Sequence, residues 1–369
     1  MRFLIALFLL CCVLNAQYNS NQYLKVHFSP PDVKLPEPVK LENKDSFTML
    51  VLGDPQSYIK FDFNQPYFEC MTAWCAAQKY NLNVKTVLCT GDLIEQNEIL
   101  NANGGNRYAG QNCGNQPSVM QWKAVSRAFE RLDNVYAYVL STGNHDHGLE
   151  AAETRASQLS KYFDMSRNFQ QWRYHVVASH TNSEGKATFE NTAYEFYDKN
   201  WGKLLVISLE FSPRDEVVDW AKSLCNKFKD HKVIILTHSV ITTKAVLTKD
   251  AYKTKGNGGV QLNQKLFFEC PNIKLVVCGH CATTEDMTAF RQEKNKEGKD
   301  VSILMFNPQA ISGWDGNGGD GWVQILEFYP DGKTISVRAF SPLFGASQKT
   351  YHLAWEKSPA NCFKFQISE

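Results

Sequence analysis

Net charge is almost absent from this sequence. Its 369 residues carry 39 Lys and Arg against 38 Asp and Glu, a formal charge of +1. No field of one sign exists to gather nucleic acid or an acidic membrane, so any partner must be recognised by a local site. Long apolar runs are also missing beyond the N-terminus, and a membrane helix needs roughly 20 such residues. No Asn-X-Ser/Thr sequence occurs, so N-glycans are not expected. There is no internal repeat. A composition of 43% hydrophobic, 21% charged and 12% aromatic residues excludes disorder, collagen and coiled coil for the bulk of the chain. The length is ample for a core, in one large domain or two medium ones.

What is there begins with Met1-Arg2-Phe3, then apolar residues from Leu4 to Leu14, then Ala16 before polar Gln17-Tyr18-Asn19-Ser20. One early positive charge, a short apolar run and a small residue read as a signal peptide over 1–16; an uncleaved anchor is the alternative. The mature protein is expected to be secreted, extracellular or in the lumen of the secretory or lysosomal pathway, with no membrane contact after cleavage. Of 11 cysteines, Cys11 and Cys12 would leave with the signal. Some of the rest are expected to pair in an oxidising compartment, and their odd number leaves at least one over. Cys278-Gly279-His280-Cys281 is no zinc knuckle, because no second pair matches its spacing. Cys89 and Cys278 sit in apolar runs and read as buried thiols.

Residues 17–46 lack periodicity and read as a wrapping arm. Beyond them, short β-branched runs alternate with amphipathic stretches. The runs are Thr48–Leu52, Thr86–Thr90, Tyr136–Ser141, Leu204–Leu209, Val233–Thr237, Leu275–Cys278 and Ile303–Phe306. The helical stretches are Tyr67–Tyr80, Val119–Leu132, Asp215–Lys229 and Gln261–Cys270. Such alternation predicts βαβ units and a largely parallel sheet. Near the C-terminus, Gly321–Phe328 and Thr334–Phe340 flank Pro330-Asp331-Gly332, a hairpin signal. The domain spans 47–342, and 343–369 form an extension packed on it. The Asn- and Gly-rich segment 97–117 has the length of a lid or of a tolerated insertion.

Polar residues of one kind collect where the strands end. Successive runs end in Gly53-Asp54-Pro55-Gln56, Gly91-Asp92, Gly143-Asn144-His145-Asp146, His238 and Gly279-His280. In an open α/β sheet the carboxyl ends of the strands are where sites are built. Carboxylate and amide oxygens with imidazole nitrogens bind divalent transition metals, and a carboxylate such as Asp92 can bridge two. Two ions about 4 Å apart clamp the attacking and leaving oxygens of a phosphoryl transfer. Each fragment alone is a weak signal; five in order, each after an apolar strand, is a strong one.

These ordered fragments resemble the motifs of calcineurin-like metallophosphoesterases over roughly residues 47–342, with Asp-x-Gln in the first motif. The resemblance implies a four-layer α/β/β/α sandwich, a small phosphorylated substrate and two divalent ions such as Mn, Zn or Fe. It implies that Asp54 and Gln56 hold the first ion, that Asp92 bridges, and that Asn144, His238 and His280 complete the second. His145 would lie over the substrate and protonate the leaving oxygen, with Asp146 orienting and charging it, and a hydroxide between the ions would attack. The expected activity is hydrolysis of phosphomonoesters or small phosphodiesters.

The pattern breaks once. The family's last motif is Gly-His-x-His, and here Ala282 stands where the second His would ligate the first ion. The first site is therefore weak with water filling the gap, or filled by a neighbour such as Cys281, Glu285 or His147, or empty. The last case is a pseudophosphatase that retains one metal site and binds a phosphorylated ligand or a protein; the retained His145 favours an enzyme. Glu95 reads as a solvated loop residue and His147 as a surface one. Trp314 and Trp322 read as packing, with stacking on substrate as the alternative. Arg107 and Arg214 are possible phosphate holders.

Overall fold

The computed structural model describes residues 38–101, 106–108, 111–249 and 252–368, the hairpin residues 106–108 and 111–112 by backbone alone. The signal peptide and most of the arm lie outside these residues, as does Arg107's side chain. One compact unit runs from Val39 to Glu369.

The first sheet is built from β1 (Phe47–Leu52), β2 (Val84–Cys89), β3 (Val139–Leu140), β11 (Val323–Phe328), β12 (Thr334–Phe340) and β13 (Phe363–Gln366), in the order β13-β12-β11-β1-β2-β3. The second contains β4 (Val176–Thr181), β5 (Ala187–Asp198), β6 (Gly202–Ser208), β7 (Lys232–Leu236), β8 (Ile273–Cys278), β9 (Thr288–Lys294) and β10 (Asp300–Phe306), in the order β9-β10-β8-β7-β6-β5-β4. Strands β1–β3 pair in parallel, as do β6, β7, β8 and β10; the flanking strands are antiparallel. The expected parallel sheet is thus two mixed sheets.

One core fills the space between them, joining Met49, Leu88 and Ile325 of the first sheet to Val206, Ile234, Leu275 and Leu304 of the second. Helices α1 (Gln65–Ala77) and α2 (Ser118–Phe129) close the outer side of the first sheet through Phe68, Met71, Val125 and Phe129. Helix α3 (Asp215–Lys227) closes the second through Val217, Val218, Ala221 and Leu224 against Ile207, Val233 and Ile235. Alternate residues of the parallel strands therefore face the two cores, which explains their unbroken apolar runs. The layers are α/β/β/α.

Several elements depart from the sequence reading for identifiable reasons. Only Val139–Leu140 of the run from Tyr136 to Ser141 pairs as a strand. The carbonyls of Tyr136, Ala137 and Tyr138 are claimed instead by the side chains of Asn168, Thr86 and Trp172. Strand β5 escapes a hydrophobic pattern because it buries Glu190, Asn191 and Thr192. Glu190 Oε1 takes a bond from Asn182, and Asn191 donates to Glu210 Oε2, so the burial is compensated. The predicted helix after Gln261 is a single α turn, Gly259–Leu262, followed by π geometry over Asn263–Phe267. The expected cysteine pairing is not seen: among the described residues no disulfide is formed, and Cys70, Cys75, Cys89, Cys225, Cys270, Cys278 and Cys362 are thiols.

Candidate metal centre

All five predicted fragments meet at one edge, because β1, β2, β3, β7 and β8 all end there. Asp54, Asp92, Asn144, Asp146 and His238 are each at most 2% exposed. Buried carboxylates and an imidazole at this density require compensating charge and hydrogen bonds. Two glycines make the approach possible. A Cβ on Gly143 would stand 2.0 Å from Asp92 Oδ1, and one on Gly279 would stand 2.2 Å from Asp54 Oδ1.

The tightest convergence is around His238. Its Nδ1 lies 2.8 Å from the Thr90 carbonyl, which orients the ring and turns Nε2 inward. That Nε2 lies 3.2 Å from Asp92 Oδ2, 3.2 Å from Asn144 Oδ1 and 3.1 Å from His280 Nδ1. The ligand atoms of Asp92, His238 and His280 fall within 4.8 Å of one another, the geometry of a divalent ion's shell. The electrostatics agree. Burial opposes charge on His238, but Asp92 and Asp54 raise it to about 10, while burial and the His238 charge lower His280 to about 3. Asp92, although burial opposes its charge, is held well below the usual carboxylate range by His238 and His145. The carboxylates call for positive charge between the imidazoles, which a cation held by Asp92, His238 and His280 would supply with both rings neutral.

Asp54 is held differently. Its Oδ1 accepts from Thr90 Oγ1 at 2.7 Å, and its Oδ2 accepts from the His280 amide at 3.0 Å and Asn307 Nδ2 at 2.6 Å. Gln309 Nε2 stands 3.5 Å from the same Oδ2. Burial raises the Asp54 carboxyl to about 7. Beside it, Gln56 is buried and its Oε1 has no hydrogen-bond partner among the described residues, an orphan acceptor that suits a cation. A first ion would find Gln56, Asp54 and Asp92, all oxygen donors, with nothing from Ala282. The residues therefore fit the second ion well and the first as an oxygen-only shell.

His145 lines the cavity, with its Nδ1 2.6 Å from the Glu95 carbonyl, leaving Nε2 as the free ring nitrogen. Burial lowers its pKa, but Asp92 and Glu95 outweigh this and raise it overall. Asp146 is not the orienting partner assigned to it. Its oxygens accept from the backbone of Gly143 at 2.7 Å and Ile94 at 3.3 Å, so it braces the loop that carries His145. Glu95 is buried rather than solvated. His147 is also buried, between Thr142 Oγ1 and the Arg155 carbonyl, and burial lowers it to about 4. Arg214 is committed to Glu210 and Glu216.

The site opens into a cavity of about 310 Å³ whose walls include Gln56, His145, Tyr252, His280, Gln309 and Trp314. Trp314 is at the cavity, whereas Trp322 packs against Phe344. Asn307 and Gln309 were not foreseen. They follow β10, the next parallel strand, and the same rule of strand ends would have found them.

A family model described as calcineurin-like phosphoesterase matches residues 47–281. The uncharacterized protein YvnB of Bacillus subtilis (strain 168) is 24% identical over 307 residues, 81% of this chain. The chain spans about a fifth of that relative's length, 20%. Among solved structures, a dimetal phosphatase from Danio rerio aligns with a TM-score of 0.46 and 10% identity, covering 80% of this chain and 96% of that one. Purple acid phosphatase PPD1 from yellow lupin seeds aligns at 0.43 and 12% identity, covering 90% and 55%. The family match covers well over half of the chain and includes every strand end that carries a candidate ligand, so this protein belongs to the calcineurin-like phosphoesterase family.

Proposed function

We propose that this protein is a secreted metal-dependent phosphoesterase acting on phosphomonoesters or small phosphodiesters. The observation that carries the reading is that His145 lines the same cavity as Asp92, Asn144 and His280. Bound ions would supply the charge that activates water and neutralises the phosphate. Asp92, Asn144, His238 and His280 would hold the ion of the second site, and Gln56 with Asp54 and Asp92 that of the first. The chain's own contribution is proton placement. Nδ1–H of His145 donates to the Glu95 carbonyl, which fixes the ring and leaves Nε2 to give a proton to the leaving oxygen, and the raised pKa of the ring favours the protonated form. Asp92 holds the His145 amide at 2.9 Å, tying the acid to the ligand set. The size of the cavity suits a small ester.

One observation favours a second reading, a pseudophosphatase that binds a phosphorylated ligand or a protein: the oxygens of Asp54 are already occupied by donors, and Ala282 offers no ligand. Turnover of p-nitrophenyl phosphate and its bis-ester by the Mn²⁺-, Zn²⁺- and Fe²⁺-loaded protein separates the two. The enzyme reading expects hydrolysis lost by 10²–10⁴-fold or so in His145→Ala with unchanged ion content. Equal rates for parent and variant with every metal would overturn it. Secretion would also expose the thiols to an oxidising lumen.

A further inference from the structure

The opposite end of the second sheet holds a cavity of about 580 Å³. It lies where β7 and β8 begin, between the loops that lead into β7, β8 and β10 and the hairpin turn joining β11 to β12. Lys274 of β8 lines it, and six residues of extended strand, about 20 Å, separate Lys274 from His280. It is not part of the metal centre.

Its walls carry Lys229, Lys232, Lys274, Lys299 and Lys333. The carboxylates beside them are largely committed. Asp230 pairs with Lys203 at 2.7 Å and with His231 at 2.9 Å. Asp331 accepts from the backbone of Lys333 and Thr334 and from the Thr334 hydroxyl. Glu297 is 3.3 Å from Lys299. Lys232 donates to the Trp201 carbonyl at 2.9 Å. Lys274 is the anomaly. It is only 8% exposed, yet among the described residues it has no hydrogen-bond or ion-pair partner. Burial lowers its pKa, and the Lys299 and Lys232 charges lower it further against the opposing charge of Glu297. Glu297 offsets these two lysine charges only in part, so an ammonium half withdrawn from water among like charges gains from an added anion.

We propose that this cavity binds a phosphate or sulfate monoester of a small hydroxylated molecule, with Lys274 at the oxyanion. Ammonium groups are point donors without a planar fork, and suit a tetrahedral oxyanion approached from several sides. The volume exceeds what a bare oxyanion fills. Asn200, also in the walls, offers an amide to the rest of the ligand.

The test is calorimetric titration of the metal-loaded full-length protein with glucose 6-phosphate, glucose 6-sulfate, inorganic phosphate and glucose. The parent, Lys274→Met, Lys299→Ala/Lys333→Ala and His280→Ala are compared. The sugar phosphate and sugar sulfate are expected to bind within a few-fold of each other, and glucose not at all. Lys274→Met is expected to weaken both by roughly tenfold or more, the scale of one charge-assisted bond, and to leave p-nitrophenyl phosphate turnover unchanged. His280→Ala, which disables the metal centre, is expected to keep the binding. The double variant tests the same charge should Lys274→Met fail to fold. Equal affinity in the parent and both lysine variants, binding lost only in His280→Ala, or glucose binding as tightly as its esters would overturn the proposal.

Discussion

Gly143→Ala gives the sharpest test of how the metal centre is assembled. Gly143 has extended backbone, so an added methyl brings no conformational strain; the cost is contact alone. The new Cβ would stand 2.0 Å from Asp92 Oδ1 and 2.4 Å from the Asp92 amide nitrogen. Ordinary contact is about 3.5 Å, so one partner must retreat by more than ~1 Å. Asp92 Oδ1 accepts the His145 amide at 2.9 Å, and Oδ2 faces His238 Nε2 at 3.2 Å, so either retreat separates the acid from the ligands. A displacement near 1 Å costs about 10²-fold in rate. Overpacking costs about 1–3 kcal/mol and a lost bond to a charged group about 1.5–3, so stability falls by about 3–6 kcal/mol. The assay measures ions per chain, p-nitrophenyl phosphate turnover and Tm together. Gly185→Ala is the control: its φ is +75° with nothing within 4 Å of an added Cβ. It pays only left-handed strain of about 1–2 kcal/mol and keeps its ions and its turnover. Gly143→Ala with parental ion content and Tm would refute the reasoning.

Three further predictions follow from the same geometry. The parent should bind one Zn²⁺ tightly and a second weakly, and Ala282→His should tighten the weaker ion roughly tenfold or more, read by equilibrium dialysis; two equal affinities in the parent would refute the asymmetry. Burial raises Glu190 to about 7 from an unfolded value of 4.5, so the folded state holds the extra proton between those values and stability falls as pH rises through that window. Glu190→Gln, which keeps the Asn182 contact as an amide, should therefore be more stable than the parent by up to about 3 kcal/mol at pH 8 and equal to it near pH 4, measured by urea unfolding; parallel pH profiles would refute this. Cys225 of α3 and Cys270 hydrogen-bond side chain to side chain, so protein from an oxidising host should show that pair linked in a non-reducing peptide map. Closing that loop of about 45 residues is worth about 4 kcal/mol in chain-entropy terms, and alkylation of both thiols without reductant would refute the linkage.

The sequence by itself determined the parallel strands and the residues at their ends. A strand buried on both faces must be an unbroken apolar run, and a polar Gly-Asp or Gly-His after it has nowhere to go but the sheet edge. Asp54, Asp92, Asn144, His145, His238 and His280 were legible for that reason, whereas the gap at Ala282 was legible only through the resemblance to the family's last motif. Strands whose pairing depends on buried polar partners were not legible. β5 buries Glu190 and Asn191 against residues about eight and nineteen positions away, and local pattern carries no trace of such compensation. Only the tertiary structure decided who holds whom. It gave His145 to the Glu95 carbonyl rather than to Asp146, set Asn307 and Gln309 against Asp54, and left Gln56 Oε1 without a donor. Side-chain type sets which bonds a residue can make; distances between segments far apart in the chain set which bonds it does make.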